Sequence, residues 1–312
     1  MANSINKKLR FLFIGWLVAG LAILGLLAGL NANLIWPKDK LSSPAEWLNL
    51  PTEISGKVRA IVVPHHLLVK SFMQKFYSQL AANGAEYQRI VIISPNHFNY
   101  GLYAVRSVLE LKGKSPQGEA FEFNIDQDAV QKLADQGAVR LENRYFEREH
   151  GVFVQAGFIK EFWPEAKVVP IIIKNGAALE RLNKLIEGLR ELDDGKTLFL
   201  FSVDFSHYTS EEFAVLNDLR TLNWLSELGS QNWDDQGELD LLVKNGKSFD
   251  VKSSDSVAVD SPESLWVMGK MADLGGWEFN LWGRTSSASI ADMNDPTQNT
   301  SHIFGWMNAG DE

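Results

Sequence analysis

The alternation of short apolar segments with helical stretches is the feature that most constrains the fold of this chain. Val58–Val63 (VRAIVV) ends at Pro64, a helical pattern follows over residues 68–82, and Arg89–Ile93 (RIVII) comes next. A short continuous apolar run is typical of a strand that is buried on both faces of a sheet. Two such strands with a helix between them form a βαβ unit, for which a right-handed crossover and parallel pairing are expected.

Further segments extend this pattern towards the end of the chain. A length of 312 residues would allow two domains of ordinary size, but no internal repeat and no second linker divides the pattern. We therefore predict a single three-layer α/β domain over residues 57–312, built around a largely parallel or mixed central sheet. The additional predicted strands lie at residues 168–173 and 197–203, and the additional helices lie near 177–192, 211–228 and 262–274.

The N-terminal segment is suited to different surroundings. Phe11–Leu30 is a run of twenty residues without a charge, and a helix of this length, at about 1.5 Å per residue, spans a hydrocarbon core of about 30 Å. Lys7, Lys8 and Arg10 precede it, and the positive-inside rule keeps that end in the cytoplasm. We therefore predict a single-pass membrane protein. The alternative is that this segment is a signal peptide that is cleaved off. The parts of the membrane protein are a cytoplasmic N-terminus (1–10), a transmembrane helix (11–30), a tether (31–56) and an extracytoplasmic domain.

Composition excludes several classes of function. The chain has 30 basic and 39 acidic residues, which give a net charge of −9. Residues 1–36 hold three of the basic residues and no acidic ones, so the rest of the chain has 27 basic and 39 acidic residues and a net charge of −12. Because this surface does not suit nucleic acid, no nucleic-acid partner is expected. The sequence contains no Cys, which excludes disulfides, thiolate ligands and Cys nucleophiles. A metal site must therefore use His, Asp or Glu.

Four of the six His residues follow predicted strands. His65 and His66 follow the first strand, His97 follows the second, and His207 follows the strand at 197–203. Ligands of open parallel sheets bind beyond the carboxyl ends of the strands. His residues at three such ends therefore predict a shared site, whereas a single one would be read as a loop residue with a backbone hydrogen bond.

Four motifs in this order, VPHHLL, ISPNHF, EREHGVFVQ and SVDFSHY, resemble those of the Memo family, also called AmmeMemoRadiSam system protein B. The resemblance covers residues 57–308. It implies a fold similar to that of the class III extradiol dioxygenases, which hold a non-haem iron(II). It also implies that His65 and His97 match the two metal-binding His residues of the family. The expected cofactor is a divalent transition metal, iron(II) first, with zinc or copper as alternatives.

The sequence departs from the family pattern at this site. The PHAGY-like motif of the family reads PHHLL here, so that His66 is an additional imidazole. Some members offer a Cys late in the chain, where this sequence has other side chains. Asp292 and His302 are suitable third ligands for iron(II) or zinc, and a site with no third protein ligand is the other alternative. The same stretch also offers Ser286, Ser287, Ser289 and Asp295.

The other motifs predict catalytic groups. Asp204 and His207 are three residues apart, so Asp204 would fix the tautomer of His207 and leave it as a general acid or base; alternatively, Asp204 caps the next helix. The resemblance places Glu149 in the pocket wall as an outer partner of a metal-binding His, whereas the sequence alone indicates a helix N-terminus. His66 and His150 are expected beside the cofactor.

These expectations favour a membrane-anchored Memo-like metalloprotein with dioxygenase-like oxidation as its chemistry. Two alternatives use the same site. One is a non-catalytic binding or scaffold module, and the other is metal-assisted hydrolysis with His207 or Glu149 as the base. The expected partners are the membrane, through residues 11–30, and a small molecule or protein that the sequence does not identify.

Overall fold

Strands and helices alternate in the computed structural model, which describes residues 53–114, 120–144, 146–228, 235–245, 257–291 and 299–309. The strands in these ranges are β1 (Val58–Val63), β2 (Arg89–Pro95), β3 (Val105–Ser107), β4 (Lys112–Lys114), β5 (Ala120–Glu122), β6 (Arg140–Leu141), β7 (Lys167–Ile173), β8 (Thr197–Ser202), β9 (Trp277–Ser286) and β10 (Ser301–Ala309). The helices are α1 (Lys70–Ala82), α2 (Gln127–Asp135), α3 (His150–Phe162), α4 (Leu179–Arg190), α5 (Glu211–Ser226), α6 (Asp235–Asn245), α7 (Pro262–Gly275) and α8 (Ser287–Ala291), with 3-10 turns at Leu67–Val69 and Phe146–Arg148.

Eight of these strands form one mixed sheet in the order β6-β3-β7-β2-β8-β1-β10-β9, and β4 pairs with β5 separately. The central strands β7, β2, β8 and β1 are parallel, whereas β10 runs antiparallel to β1 and β9. The predicted direct pairing of β1 with β2 is wrong, because β8 lies between them and is parallel to both. All six residues of β8 are buried, as the middle of a sheet covered on both faces requires.

Alternate residues of the central strands face two different cores. Ile92 of β2 and Leu200 of β8 belong to a hydrophobic cluster that includes Phe76 of α1 and Phe158 of α3. Phe199, which precedes Leu200, is fully buried and points to the opposite face because successive strand residues alternate. On that face α7 contacts β2 and β8. Helices therefore cover both faces of the sheet, and the predicted α/β domain is confirmed.

The carboxyl edge of the parallel strands collects the polar residues. His65 follows β1, His97 follows β2, and the segment with Asp204 and His207 follows β8. The N-terminus of α3 and the residues before α7 reach the same edge, because Glu149 contacts His97 and Asp260 contacts His65.

Within the described ranges, none of the helices combines the length and apolarity that a membrane span requires. The apolar segment Phe11–Leu30 and the tether up to residue 52 lie outside the described residues, as do Asp292 and Asp295.

Candidate metal centre

Three side chains bring their polar atoms close together at the carboxyl edge of the sheet. His65 Nε2 lies 3.1 Å from His97 Nε2 and 3.2 Å from Asp260 Oδ2. His97 Nε2 lies 3.6 Å from the same oxygen. Atoms that each lie about 2.1 Å from one metal ion at neighbouring positions are about 3.0 to 3.4 Å apart. The three separations therefore suit the binding of a single ion.

Asp260 is a ligand candidate that the sequence motifs do not include. Both of its carboxylate oxygens are buried, and within the described residues neither has a hydrogen-bond partner of good geometry. Burial raises the pKa of Asp260, but the rings of His65 and His97 outweigh burial and hold the pKa below its ordinary value. A buried carboxylate that stays ionised without a hydrogen bond is suited to a cation. The backbone N–H of Asp260 donates to the carbonyl of Asp204 at 3.1 Å. The next residue, Ser261, caps α7.

Buried hydrogen bonds set the tautomer of His65. Ser202 Oγ donates its only proton to the carbonyl oxygen of Gly151 at 2.7 Å. It can therefore only accept from its two other neighbours, Gln155 Nε2 at 3.0 Å and His65 Nδ1 at 3.2 Å. His65 accordingly carries a proton on Nδ1, which leaves the Nε2 lone pair facing His97 and Asp260.

Glu149 has the same effect on His97. One carboxylate oxygen lies 2.5 Å from His97 Nδ1, and the other accepts from the His97 backbone N–H at 3.1 Å. The same side chain caps α3 by accepting from the backbone N–H of Gly151 at 3.2 Å. The sequence allowed two roles for Glu149, as a partner of a His ring or as a residue at a helix N-terminus. In the structure its side chain makes both contacts.

The carboxylates give the site a strong attraction for positive charge. Burial lowers the pKa of His97, but Asp260 and Glu149 outweigh it and raise the pKa to about 10. Burial likewise lowers the pKa of His65, but Asp204 and Asp260 outweigh burial, so that the pKa is raised above its ordinary value. The His150 ring centroid is 4.0 Å from that of His97, and burial together with the His97 charge lowers the pKa of His150 to about 4. The same carboxylates that raise these two pKa values would also favour a divalent cation at this position.

His66 and His302 form a separate imidazole pair. His66 Nδ1 lies 3.2 Å from His302 Nε2. The ring planes differ by 10° and the centroids are 5.3 Å apart, so the two nitrogens face each other nearly in line. A hydrogen bond between the rings occupies both nitrogens. Burial lowers the pKa of both rings, that of His302 to about 3. His302, a third-ligand candidate from the sequence, is therefore directed at His66.

His207 and Asp204 make different contacts from those that their spacing predicts. His207 Nδ1 lies 2.6 Å from the Phe205 carbonyl oxygen, so this carbonyl, and not Asp204, sets the His207 tautomer. Asp204 accepts from the His65 backbone N–H at 3.0 Å and lies 3.5 Å from His65 Nε2. Burial raises the pKa of Asp204, but the neighbouring His rings, His65 above all, lower it overall. The alternative of a helix cap is wrong, because Ser210 is the N-cap of α5.

One cleft of about 950 Å³ collects most of these side chains. Glu149 lies behind its wall against His97, and His302 lies behind it against His66. Asp260 also lines the cleft, beside Val257 and Val259. The residues of the sequence-based set that line the cleft are His65, His66, His97, His150, Asp204 and His207.

Comparison with known proteins agrees with the motifs. A family model described as Memo-like protein matches residues 38–250, more than half of the chain. Relatives described as MEMO1 family proteins include one from Caldivirga maquilingensis, 24% identical over 210 residues, which are 66% of this chain and 72% of the relative. Another, from Aquifex aeolicus, is 31% identical over 157 residues, which are 48% of this chain and 40% of the relative. Among solved structures, the uncharacterized protein JW3007 from Escherichia coli K12 is similar with a TM-score of 0.52 and 12% identity, over 79% of this chain and 99% of that one. At this identity the likeness shows the fold alone.

Proposed function

Because the chain belongs to the Memo-like family and its cleft brings two imidazoles and a carboxylate together, we propose that it binds one divalent transition metal ion through His65, His97 and Asp260. The observation that carries the proposal is the triangle of Nε2, Nε2 and Oδ2 atoms, with sides of 3.1, 3.2 and 3.6 Å. The unpartnered oxygens of Asp260 and the fixed Nδ1 atoms of both rings support it.

Iron(II) is the ion that this ligand set favours, with zinc or copper as alternatives. Two His and one carboxylate form the ligand set of the non-haem iron(II) oxygenases, in which other positions stay open. A bound iron(II) would supply those open positions for substrate and oxygen, so dioxygenase-like oxidation is the proposed chemistry. Metal binding rests on the geometry, and the oxidation rests on the ligand set and the family.

His207 is the proposed general acid or base. Its Nδ1 is occupied by the Phe205 carbonyl, so Nε2 is the nitrogen left to exchange a proton in the cleft that His207 lines. Asp204 accepts from the backbone N–H of His65 at 3.0 Å and so holds this metal-site residue in place. Glu149 holds His97 with Nε2 towards the ion, and His66 and His150 are proposed to contact the molecule bound beside the metal.

The proposal includes a membrane anchor at residues 11–30, with the N-terminus in the cytoplasm and the α/β domain outside it. The uncharged run and the basic residues that precede it support this topology. Protease added to intact cells whose outer surface is accessible should degrade the chain beyond residue 37. Full protection of the domain under those conditions would contradict the topology. The membrane is the proposed partner, together with a small molecule or a protein, and nucleic acid is not.

Metal content of the purified full-length protein tests the metal site. We expect about one equivalent of metal in the wild type and a loss of nearly all of it in the double variant His65→Ala plus His97→Ala. His66→Ala is the matched control, because it removes an imidazole from the same cleft without touching the triangle. Equal metal content in the wild type and the double variant would overturn the proposal.

Oxygen consumption over a panel of catechols tests the chemistry separately. Consumption that depends on iron(II) and falls in His207→Ala supports oxidation. A protein that keeps its metal without consuming oxygen would be a binding module instead, and hydrolysis of esters or amides without oxygen would make it a hydrolase.

A further inference from the structure

Exposed apolar side chains follow His97, the metal-site residue in the loop after β2. In the loop after β2, Asn96, His97 and Asn99 line the cleft. Phe98, Tyr100 and Leu102 of the same loop are exposed, and Leu102 is 88% exposed. The loop thus contributes polar side chains to the cleft and leaves large apolar side chains on the surface.

Two other segments also place exposed apolar side chains beside the cleft. His66 lines the cleft, and the next two residues, Leu67 and Leu68, are exposed. Tyr208, next to His207, lines the cleft and is itself exposed. Large apolar side chains from three separate segments are therefore exposed within three residues of side chains that line the cleft. Exposed apolar side chains grouped beside one site in this way mark an interaction surface.

Two cations lie at the base of the loop. Lys174 Nζ donates to the carbonyl of Gly101 at 3.2 Å, and the Arg140 guanidinium lies 5.6 Å from the centre of the Tyr103 ring. Aromatic and aliphatic side chains at the tip, with Lys and Arg behind them, are typical of surfaces that rest in the interfacial region of a bilayer. The domain as a whole is acidic, so cations at this edge favour a lipid headgroup region locally.

The length of the chain before the domain favours the bilayer as the occupant of this surface. Between Leu30, where the apolar run ends, and Glu53, where the described domain begins, there are 22 residues. Fully extended, they reach at most about 75 to 80 Å. A domain held this close to a bilayer meets it at a high effective concentration, so weak interfacial contacts are sufficient to keep it there.

We propose that this rim, formed by Leu67, Leu68, Phe98, Tyr100, Leu102 and Tyr208, rests on the surface of the bilayer that anchors the chain, so that the cleft opens onto the lipid headgroups. The inference rests on the membrane anchor proposed above and does not depend on the metal. A cleft with this orientation takes its substrate from the interface, which is where amphiphilic molecules concentrate.

The absence of Cys from the sequence allows a site-specific test with the full-length protein. Leu102→Cys and, as the control, Glu165→Cys are each labelled with an environment-sensitive fluorophore and reconstituted into vesicles that contain spin-labelled lipids. Glu165 is exposed and lies just before β7, at the amino edge of the sheet. We expect the label at position 102 to be quenched at least about threefold more than the label at 165. We also expect this difference to shrink when Phe98→Ser and Leu68→Ser are added.

Flotation of the same samples separates failure of the inference from failure of the anchor. Protein that floats with the vesicles but shows equal or no quenching at the two positions overturns the docking and leaves the anchor intact, with a protein partner as the occupant of the rim. Protein that does not float overturns the anchor and the docking together. Metal content, measured in parallel, is expected to be the same in all of these variants.

Discussion

The two walls of the cleft use the same residue type in opposite ways. On one wall, His65 and His97 each have Nδ1 against a buried acceptor, and their Nε2 atoms face Asp260. On the other wall, His66 and His302 face each other nitrogen to nitrogen. The difference teaches that an imidazole becomes a ligand candidate through the partner of its second nitrogen, and not through its mere presence in a cleft.

His65 and His66 make this contrast within one dipeptide. The backbone of His66 is extended, and side chains of successive extended residues point to opposite sides. The first ring therefore meets Asp204, Asp260 and the other ligand candidate, and its pKa is raised. The second ring meets His302 instead, and burial lowers its pKa although Asp204 acts in the opposite direction. One wall attracts a cation, and the other holds a neutral pair.

The largest effect is expected from Asp260→Ala. This change removes the carboxylate that approaches both Nε2 atoms, so the affinity for zinc or iron(II) should fall by more than about 100-fold. Asp260→Asn keeps the shape and one oxygen but removes the charge, and an intermediate loss is expected. Competition with a chromophoric chelator measures both, with circular dichroism to check the fold. Unchanged affinity in Asp260→Ala would mean that the third ligand lies elsewhere in the chain.

Glu149→Gln should weaken metal binding by about 10- to 100-fold, the usual effect of removing an outer partner of a ligand His. The amide still fits the space but lacks the charge that holds His97 Nδ1 protonated. Glu147→Gln is the matched control, because Glu147 is exposed two residues earlier. The same chelator competition distinguishes them, and equal affinities in the two variants would remove Glu149 from the metal wall.

A smaller loss, about 3- to 10-fold, is expected from Ser202→Ala. The variant removes the acceptor of His65 Nδ1, so the ring is free to adopt the other tautomer or to rotate. Ser107→Ala is a suitable control for stability, because Ser107 is also buried in a strand and donates to one backbone carbonyl, that of Pro170. Thermal unfolding should shift similarly in both variants, whereas metal affinity should change only in Ser202→Ala. A loss of affinity in both would indicate a general effect of the buried hydroxyl.

The strands and the His cleft were predictable because their signals are local. An apolar run that ends at Pro64 or Pro95 marks a strand end within a few residues, and parallel strands bring such ends to one edge. The order of the strands is not local in this sense. The sequence of β1, α1 and β2 favours direct pairing, but β8 is wholly buried and enters between them from more than 100 positions later in the chain.

Asp260 was not predictable from the same signals because it follows no strand. Its only local signature is the start of α7, with Ser261 as the cap and Pro262 after it. Its position beside His65 depends on the packing of α7 against β2 and β8 and on the hydrogen bond to the Asp204 carbonyl. His302 illustrates the converse case. Its residue type suits a metal, but a partner 236 positions away directs it elsewhere.

The smallest effect is expected from His66→Gln, which should change metal affinity by less than about threefold. The Gln side chain can still hydrogen-bond to His302, and no atom of the triangle is altered. If the two walls are independent, the effects of His66→Gln and Glu149→Gln on the free energy of metal binding should also add in the double variant, as they do for sites without shared partners. Chelator competition on the two single variants and the double variant gives the coupling directly. A loss with His66→Gln as large as that with Asp260→Ala, or a strong coupling to Glu149, would mean that His66 binds the ion and that the contrast between the walls is wrong.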